Sequence, residues 1–296
     1  MTPSAAPPLS IALDARAELG EGPRWHGSEQ CLYWVDIPRN ELHRFDPATG
    51  RDEIRRFTDP VGCFAFRARG GLVLAMKDGL ALLDDWAAEP VPFGEQVFAG
   101  RPDLRSNDGR TDPAGRFWVG SVNMAKSARD AALYRIDAAG RWTLIENDMM
   151  TCNGAAFNAD GTAFRHADTP SHRLRGYAVD PVTGNLSDRR IIHQFVQDKG
   201  RPDGGSFDAE GCYWSALFDG GRVVRLSPDG EIMQTVALPV SRPTMIAFGG
   251  ADLRTAYVTT ARSGLSDEAL AMQPHAGALF SFPVAVPGLA ETPFAG

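Results

Sequence analysis

The amino-acid sequence predicts an all-β fold, a six-bladed β-propeller. Three observations predict it: a phrase that recurs along the chain, the even spacing of its copies, and the near absence of helical patterning. The phrase is clearest in Asn153-Gly-Ala-Ala-Phe157-Asn-Ala-Asp-Gly161 and Asp203-Gly-Gly-Ser-Phe207-Asp-Ala-Glu-Gly211. Each copy opens on a polar residue and a Gly, continues to an aromatic, and closes on a turn Gly. Recurrence at a fixed period marks a repeat architecture, in which each copy is one supersecondary unit.

In chain order, Glu21 leads to Trp25 and the strand-like run Leu32-Tyr-Trp-Val, and Gly62 leads to Phe66, Gly70 and Leu72-Val-Leu-Ala-Met. Asn107 leads to Gly115 and Phe117-Trp-Val-Gly-Ser, and Asp203 to Tyr213-Trp-Ser-Ala-Leu. Thr244 leads to Phe248 and Ala256-Tyr-Val-Thr-Thr. The six register positions, Glu21, Gly62, Asn107, Asn153, Asp203 and Thr244, are separated by 41, 45, 46, 50 and 41 residues. Each interval has room for about four strands with their turns, which is one propeller blade. Later strands run into turn signals at Asp46-Pro-Ala-Thr-Gly50, Asp137-Ala-Ala-Gly140, Asp180-Pro-Val-Thr-Gly184 and Ser227-Pro-Asp-Gly230. A doubly wound α/β fold would need amphipathic helices between strands. The pattern allows one short helix, near Ser266 to Met272. The expected organisation is a disordered lead-in over residues 1–10 and a single propeller domain over 11–296.

In a propeller the inner strands line a central channel, so the six register positions converge on one ring. Their occupants are two carboxylates, two carboxamides, one hydroxyl and one Gly that clears space, a ring of oxygen donors suited to a hard cation. Two neighbouring carboxylates without a cation would repel, so the expected cofactor is one divalent ion: calcium, zinc, manganese, magnesium or ferrous iron. Glu21 is the sharpest member. It stands between two glycines and before a Pro, where a turn has no use for an acid.

The formal net charge of −7 and the absence of a Lys/Arg run argue against nucleic acid and membrane partners. The first ten residues lack the basic and apolar regions of a secretory signal. Cys31, Cys63, Cys152 and Cys212 form no CxxC pair and are expected to be buried free thiols in a reducing, cytoplasmic setting. There is no G-x-S-x-G elbow and no His in the register, which disfavours a covalent hydrolase. Arg165 is expected to face solvent and His166 to be a packed strand residue, and the loop from Thr260 to Glu268 to shape the rim of the site. Nothing in the sequence specifies an oligomeric state.

At these residues the chain resembles the senescence-marker/gluconolactonase/regucalcin family, and within it the bacterial sugar-acid lactonases, from about Leu19 to about Pro283. The resemblance is carried by LGEGPRWH (19–26), LYWVDI (32–37), RSNDGRTDPAGRFWVGS (105–121), NGAAFNADG (153–161), ADTPSHR (167–173), PDGGSFDAEGCYWSAL (202–217) and AFGGADLRTAYVTTAR (247–262). It implies a divalent metal bound by Glu21, Asn153 and Asp203, and substrate contacts from Arg105 and Asn107. Animal regucalcins carry a substrate-touching acid after the strand that matches GRFWVGS; here the stretch reads Ser121-Val-Asn123-Met, so Asn123 is expected in that place. The implied substrate is a small-molecule sugar lactone, opened by water on a metal-polarised carbonyl, with Asp203 catalytic as well as metal-binding. Two other functions fit the same residues: an arylesterase or phosphotriesterase-like hydrolase, and a non-catalytic calcium-binding propeller.

Overall fold

The computed structural model describes residues 7–296, so much of the expected lead-in lies outside the described residues. Six four-stranded antiparallel sheets follow one another along the chain. Blade I is built from Gly20–His26, Cys31–Asp36, Glu41–Asp46 and Arg51–Arg56. Blade II has Val61–Phe66, Leu72–Met76, Leu80–Leu83 and Val91–Phe93; blade III has Leu104–Thr111, Phe117–Asn123, Ala131–Ile136 and Trp142–Met149. Blade IV has Cys152–Phe157, Ala163–Asp168, Arg173–Val179 and Leu186–Gln194; blade V has Arg201–Phe207, Tyr213–Phe218, Arg222–Leu226 and Ile232–Ala237. Blade VI combines Pro243–Gly249, Thr255–Thr260 and Leu279–Pro283 with the early strand Ser10–Leu13.

The first strand of each blade packs against the first strand of the next, and that of blade VI returns to that of blade I. The ring is therefore closed, and blade VI closes it with strands from both ends of the chain. That early strand precedes the first copy of the recurring phrase, which is why the sequence pattern does not reveal it.

Aromatic side chains on the second strands fill the space between blades. Trp118 of blade III meets Phe157 and Phe164 of blade IV at 5.3 and 5.2 Å between ring centroids. Trp214 of blade V meets Phe248 and Phe282 of blade VI at 6.0 and 6.1 Å. Burying rings of this size stabilises by about 2–3 kcal/mol each. Two of these indoles are also fixed by a repeated device: Asp112 Oδ2 accepts from Trp118 Nε1 at 2.9 Å, and Asp208 Oδ2 from Trp214 Nε1 at 3.0 Å.

The one α-helix among the described residues, Asp267–Met272, lies where the sequence allowed it and is capped by Ser266, whose side chain accepts from Ala269 N. Arg165 is not solvent-facing. It is buried, with its guanidinium 5.7 Å from the Phe207 ring centre and its Nη1 donating to Phe164 O, because the second strand of blade IV is covered by blade V. His166 is a packed strand residue, stacked against both Phe164 and Tyr177. Cys63, Cys152 and Cys212 are buried free thiols, while Cys31, at the start of its strand, is only partly covered.

Candidate active site

Every inner strand breaks its pairing with the second strand at the register position. The irregularities fall between Glu21 and Arg24, Val61 and Cys63, Ser106 and Gly109, Asn153 and Ala156, Pro202 and Gly205, and Pro243 and Met245. A bulge re-aims the side chain it carries. This is the physical basis of the recurring polar-Gly step: Gly22 and Gly154 have φ of +56° and +67°, a region that side chains rarely enter. At Gly154 a Cβ would also lie 2.4 Å from the Tyr213 hydroxyl.

Two of the inner strands are further aligned by matching anchors. Asp36, at the end of the second strand of blade I, accepts from the backbone N–H groups of Glu18 and Leu19 at 2.9 and 3.1 Å. Asp168 does the same in blade IV for Met150 and Thr151, at 3.1 and 3.0 Å. Both aspartates are sealed from solvent, and each fixes the loop that delivers a register residue, Glu21 or Asn153.

Four of the six register residues, Glu21, Asn107, Asn153 and Asp203, line one cavity together with Arg105. Gly62 and Thr244 are not among its walls. Gly62 makes way for its neighbour's backbone rather than for a ligand, since a Cβ there would lie 2.3 Å from Ser106 O. Thr244 spends its hydroxyl on Gly20 O at 2.5 Å and Thr259 Oγ1 at 2.8 Å. Of the five expected donor side chains, four line the cavity.

A hydrogen-bonded chain orders the neutral members. Arg105 Nη1 donates to Asn107 Oδ1 at 2.9 Å, Asn107 Nδ2 to Asn153 Oδ1 at 2.7 Å, Asn153 Nδ2 to Thr169 Oγ1 at 2.8 Å, and Thr169 Oγ1 to Pro202 O at 2.8 Å. Asn107 Nδ2 also donates to Cys152 O at 2.9 Å, so both its amide protons are committed and only Oδ1 has capacity left for a substrate hydroxyl. Among the described residues, Arg105 Nε and Nη2 donate to nothing.

The carboxylates are left without such partners. Among the described residues, Glu21 accepts only from the N–H of Gly22, and the buried Asp203 Oδ1 accepts no hydrogen bond. Burial pushes both carboxyl groups well above the usual range, and nearby carboxylates push further: Asp203 and Asp108 on Glu21, and Asp108 on Asp203. Burial likewise lowers the Arg105 guanidinium to about 10. Among the described residues no group of three or more His, Cys, Asp or Glu is placed to hold a metal. The residues that could hold a hard cation are two carboxylates and a carboxamide, Glu21, Asp203 and Asn153, a set that supplies oxygen alone.

Asn123 does not line the cavity. Its amide is spent locally, Nδ2 donating to Asp130 at 2.8 Å and Oδ1 accepting from Ser127 N at 3.1 Å. Lys126, in the turn that Asn123 pins, is at the cavity wall instead, and Thr169, Arg201 and Ser263 also line it. Thr169 lies within ADTPSHR and Ser263 within the loop expected to form the rim; Lys126 and Arg201 carry no repeat signal. Asp108, next to Asn107, stands outside the register and carries no repeat signal; its Oδ2 accepts from Ala155 N at 3.0 Å, tying blade III to blade IV beneath the site.

The sequence profile of the SMP-30/Gluconolactonase/LRE-like region matches residues 19–262. The chain belongs to this family. It is 44% identical over 279 residues to the 6-deoxy-6-sulfogluconolactonase of Pseudomonas putida, covering 94% of this chain and 95% of the relative. To the pentonolactonase XacC of Haloferax volcanii it is 35% identical over 292 residues, covering 96% and 97%. The solved structure of a calcium-binding protein, regucalcin, from Agrobacterium tumefaciens superposes with a TM-score of 0.93 at 28% identity, over 99% of this chain and 98% of that one. Glu21, Arg105, Asn153 and Asp203, which line the cavity, all fall within the matched span.

Proposed function

We propose that this protein hydrolyses a sugar lactone to its aldonic acid, with one divalent cation held by Glu21, Asn153 and Asp203. Full-length similarity to relatives named as lactonases supports a lactone-hydrolysing enzyme. The observation that carries the metal is the pair of buried carboxylates. Asp203 Oδ1 has no hydrogen-bond partner among the described residues, and an unpaired buried carboxylate costs several kcal/mol that a cation would recover. When bound, such an ion polarises the ester carbonyl and steadies the oxyanion of the addition step.

The chain's own residues account for the rest of the reaction. The free edge of the Arg105 guanidinium donates to sugar hydroxyls, and Asn107 holds Arg105 in place while offering Oδ1 to one hydroxyl. Asn107 also donates to Asn153 Oδ1, which fixes the amide with its oxygen toward the site and its nitrogen toward Thr169. Asp203 accepts a proton from the attacking water as its oxygen adds to the lactone carbonyl. The ring C–O bond then breaks, the proton passes to the departing sugar oxygen, and a carboxylic acid and a hydroxyl result.

The test is titrimetric hydrolysis of an aldonolactone panel at constant pH by metal-stripped protein, before and after addition of calcium, magnesium, manganese, zinc or ferrous ions. The expected outcome is metal-dependent acceleration above the spontaneous rate. Hydrolysis that is indifferent to every ion overturns the metal assignment, and no acceleration under any condition overturns the lactonase reading.

A further inference from the structure

The cavity has a floor and a rim of different electrical character. Its floor carries the buried Glu21 and Asp203, 7% and 5% exposed. Its rim carries the exposed Lys126 and the partly covered Arg201. A divalent ion matches the two floor carboxylates, and what remains is cationic. Lys126 has no ion-pair partner among the described residues. Arg201 pairs with Asp219, but Asp219 also receives Arg242 Nε at 2.7 Å, so one carboxylate serves two guanidinium groups. Both guanidinium groups lie 5.2 Å from the Phe218 ring centre, which holds Arg201 against the wall of the cavity.

Lys126 is also held in place deliberately. It adopts φ of 52°, the left-handed region that residues other than Gly rarely occupy. The turn around it is closed by Lys126 N donating to Asn123 O at 2.9 Å, Met124 N to Asp103 O at 2.8 Å, and Ser127 N to Asn123 Oδ1 at 3.1 Å. Neutral sugar hydroxyls gain little from two cations at the rim, whereas an anionic substituent gains a charge-assisted hydrogen bond from each.

We propose that the substrate is a sugar lactone bearing a terminal anionic group, a sulfonate, phosphate or carboxylate, and that Lys126 and Arg201 bind that group while the ring ester meets the floor. This rests on the lactonase reading. Asn123 acts as a positioning residue through Lys126. Arg105 stands between floor and rim and serves the ring.

The test compares kcat/KM of the metal-loaded enzyme for gluconolactone with that for 6-phosphogluconolactone, its 6-sulfonated analogue and glucaro-1,4-lactone, whose C6 carboxylate is free, in wild type, Lys126→Met and Asn123→Ala. The expected wild-type preference for at least one anionic lactone is tenfold or more, expressed in KM and reduced by raising NaCl from about 0.05 to 0.5 M. Lys126→Met lowers that preference about tenfold, and Asn123→Ala lowers it less. The phosphate, sulfonate and carboxylate arms identify which anion the rim fits. A wild-type ratio near one, or a ratio that Lys126→Met leaves unchanged because it weakens every lactone equally, overturns the proposal while the lactonase reading stands. Should no lactone be hydrolysed, that reading fails separately, and calorimetric binding of 6-phosphogluconate against gluconate still decides the rim: preferential binding lost in Lys126→Met supports it, and equal binding overturns it.

Discussion

Three residues further along the same inner strands, the central channel changes character. The register residues Glu21, Asn107 and Asp203 are followed by Arg24, Arg110 and Ser206, whose side chains are held by protein partners. Arg24 donates through Nε to Phe64 O at 2.8 Å and through Nη2 to Gly109 O, and Arg110 Nη2 donates to Ser206 Oγ at 2.6 Å. Glu291, brought in by the C-terminal segment, ion-pairs with both arginines, with Arg24 Nη1 at 3.1 Å. Burial raises its carboxyl pKa, but Arg110 and Arg24 outweigh burial and hold it below the ordinary value. Glu21 and Asp203 are buried in the same channel with their pKa values pushed the other way. The difference teaches how the fold divides its labour: where carboxylates serve stability the chain supplies their partners, and where they serve a ligand it withholds them.

Asp203→Asn breaks the comparison most sharply. It removes the proton acceptor and a metal ligand, so kcat should fall by about 10³-fold or more, measured by titrimetric lactone hydrolysis. The same change relieves an unpaired buried charge, so the metal-free variant should melt a few degrees above metal-free wild type in calorimetry. A lower melting temperature would show that Asp203 is already compensated within the protein. Glu291→Gln is the converse. It leaves two buried guanidinium groups without a counter-charge and should cost about 3 kcal/mol in urea unfolding, while kcat/KM per folded molecule stays within about twofold because Glu291 does not line the active cavity. A loss of activity equal to that of Asp203→Asn would merge the two regions into one functional unit.

The sequence made the blades legible because each inner strand must repeat the same bulge, and a bulge leaves a mark: a polar residue followed by Gly at Asn153 and Asp203. The same rule exposed Glu21, Asn107, Asn153 and Asp203 as neighbours in space. It overreached at Thr244 and Gly62, where the register is kept but the side chain, or its absence, answers to the adjoining blade: the Thr244 hydroxyl to Gly20 O, and Gly62 to Ser106 O. Lys126 and Arg201 were illegible for the opposite reason: they come from a loop and a strand start, where blades differ from one another and no repeat constrains them. Asn123 was identified by its place beside a family position, yet its amide holds a turn. Arg165 reads as a surface residue on its own strand, and only the packing of blade V over blade IV buries it.

A third carboxylate sharpens the comparison away from the channel. Glu146, on the outer strand of blade III, receives His166 Nε2 at 3.0 Å, Arg175 Nη1 at 2.9 Å and Arg189 Nη2 at 3.0 Å, and the Tyr177 hydroxyl besides. Burial raises its pKa, but the His166 hydrogen bond and charge, the Tyr177 hydroxyl and Arg175 outweigh burial and bring it to about 2. A carboxyl whose folded pKa lies below its unfolded value of about 4.3 binds fewer protons when folded, so its contribution is complete above that value and is lost as pH falls toward 2. Wild type should therefore lose stability between about pH 5 and 2 more steeply than Glu146→Gln, with the two curves converging at the acid end. The gap at neutral pH should be on the order of 1 kcal/mol, less than the full linkage because solvent reaches one side of the cluster. Urea midpoints measured across that window check it: parallel curves would show that Glu146 is tied to its neighbours by shape alone, and convergence would show that it belongs with Glu291 among the carboxylates whose partners the fold provides.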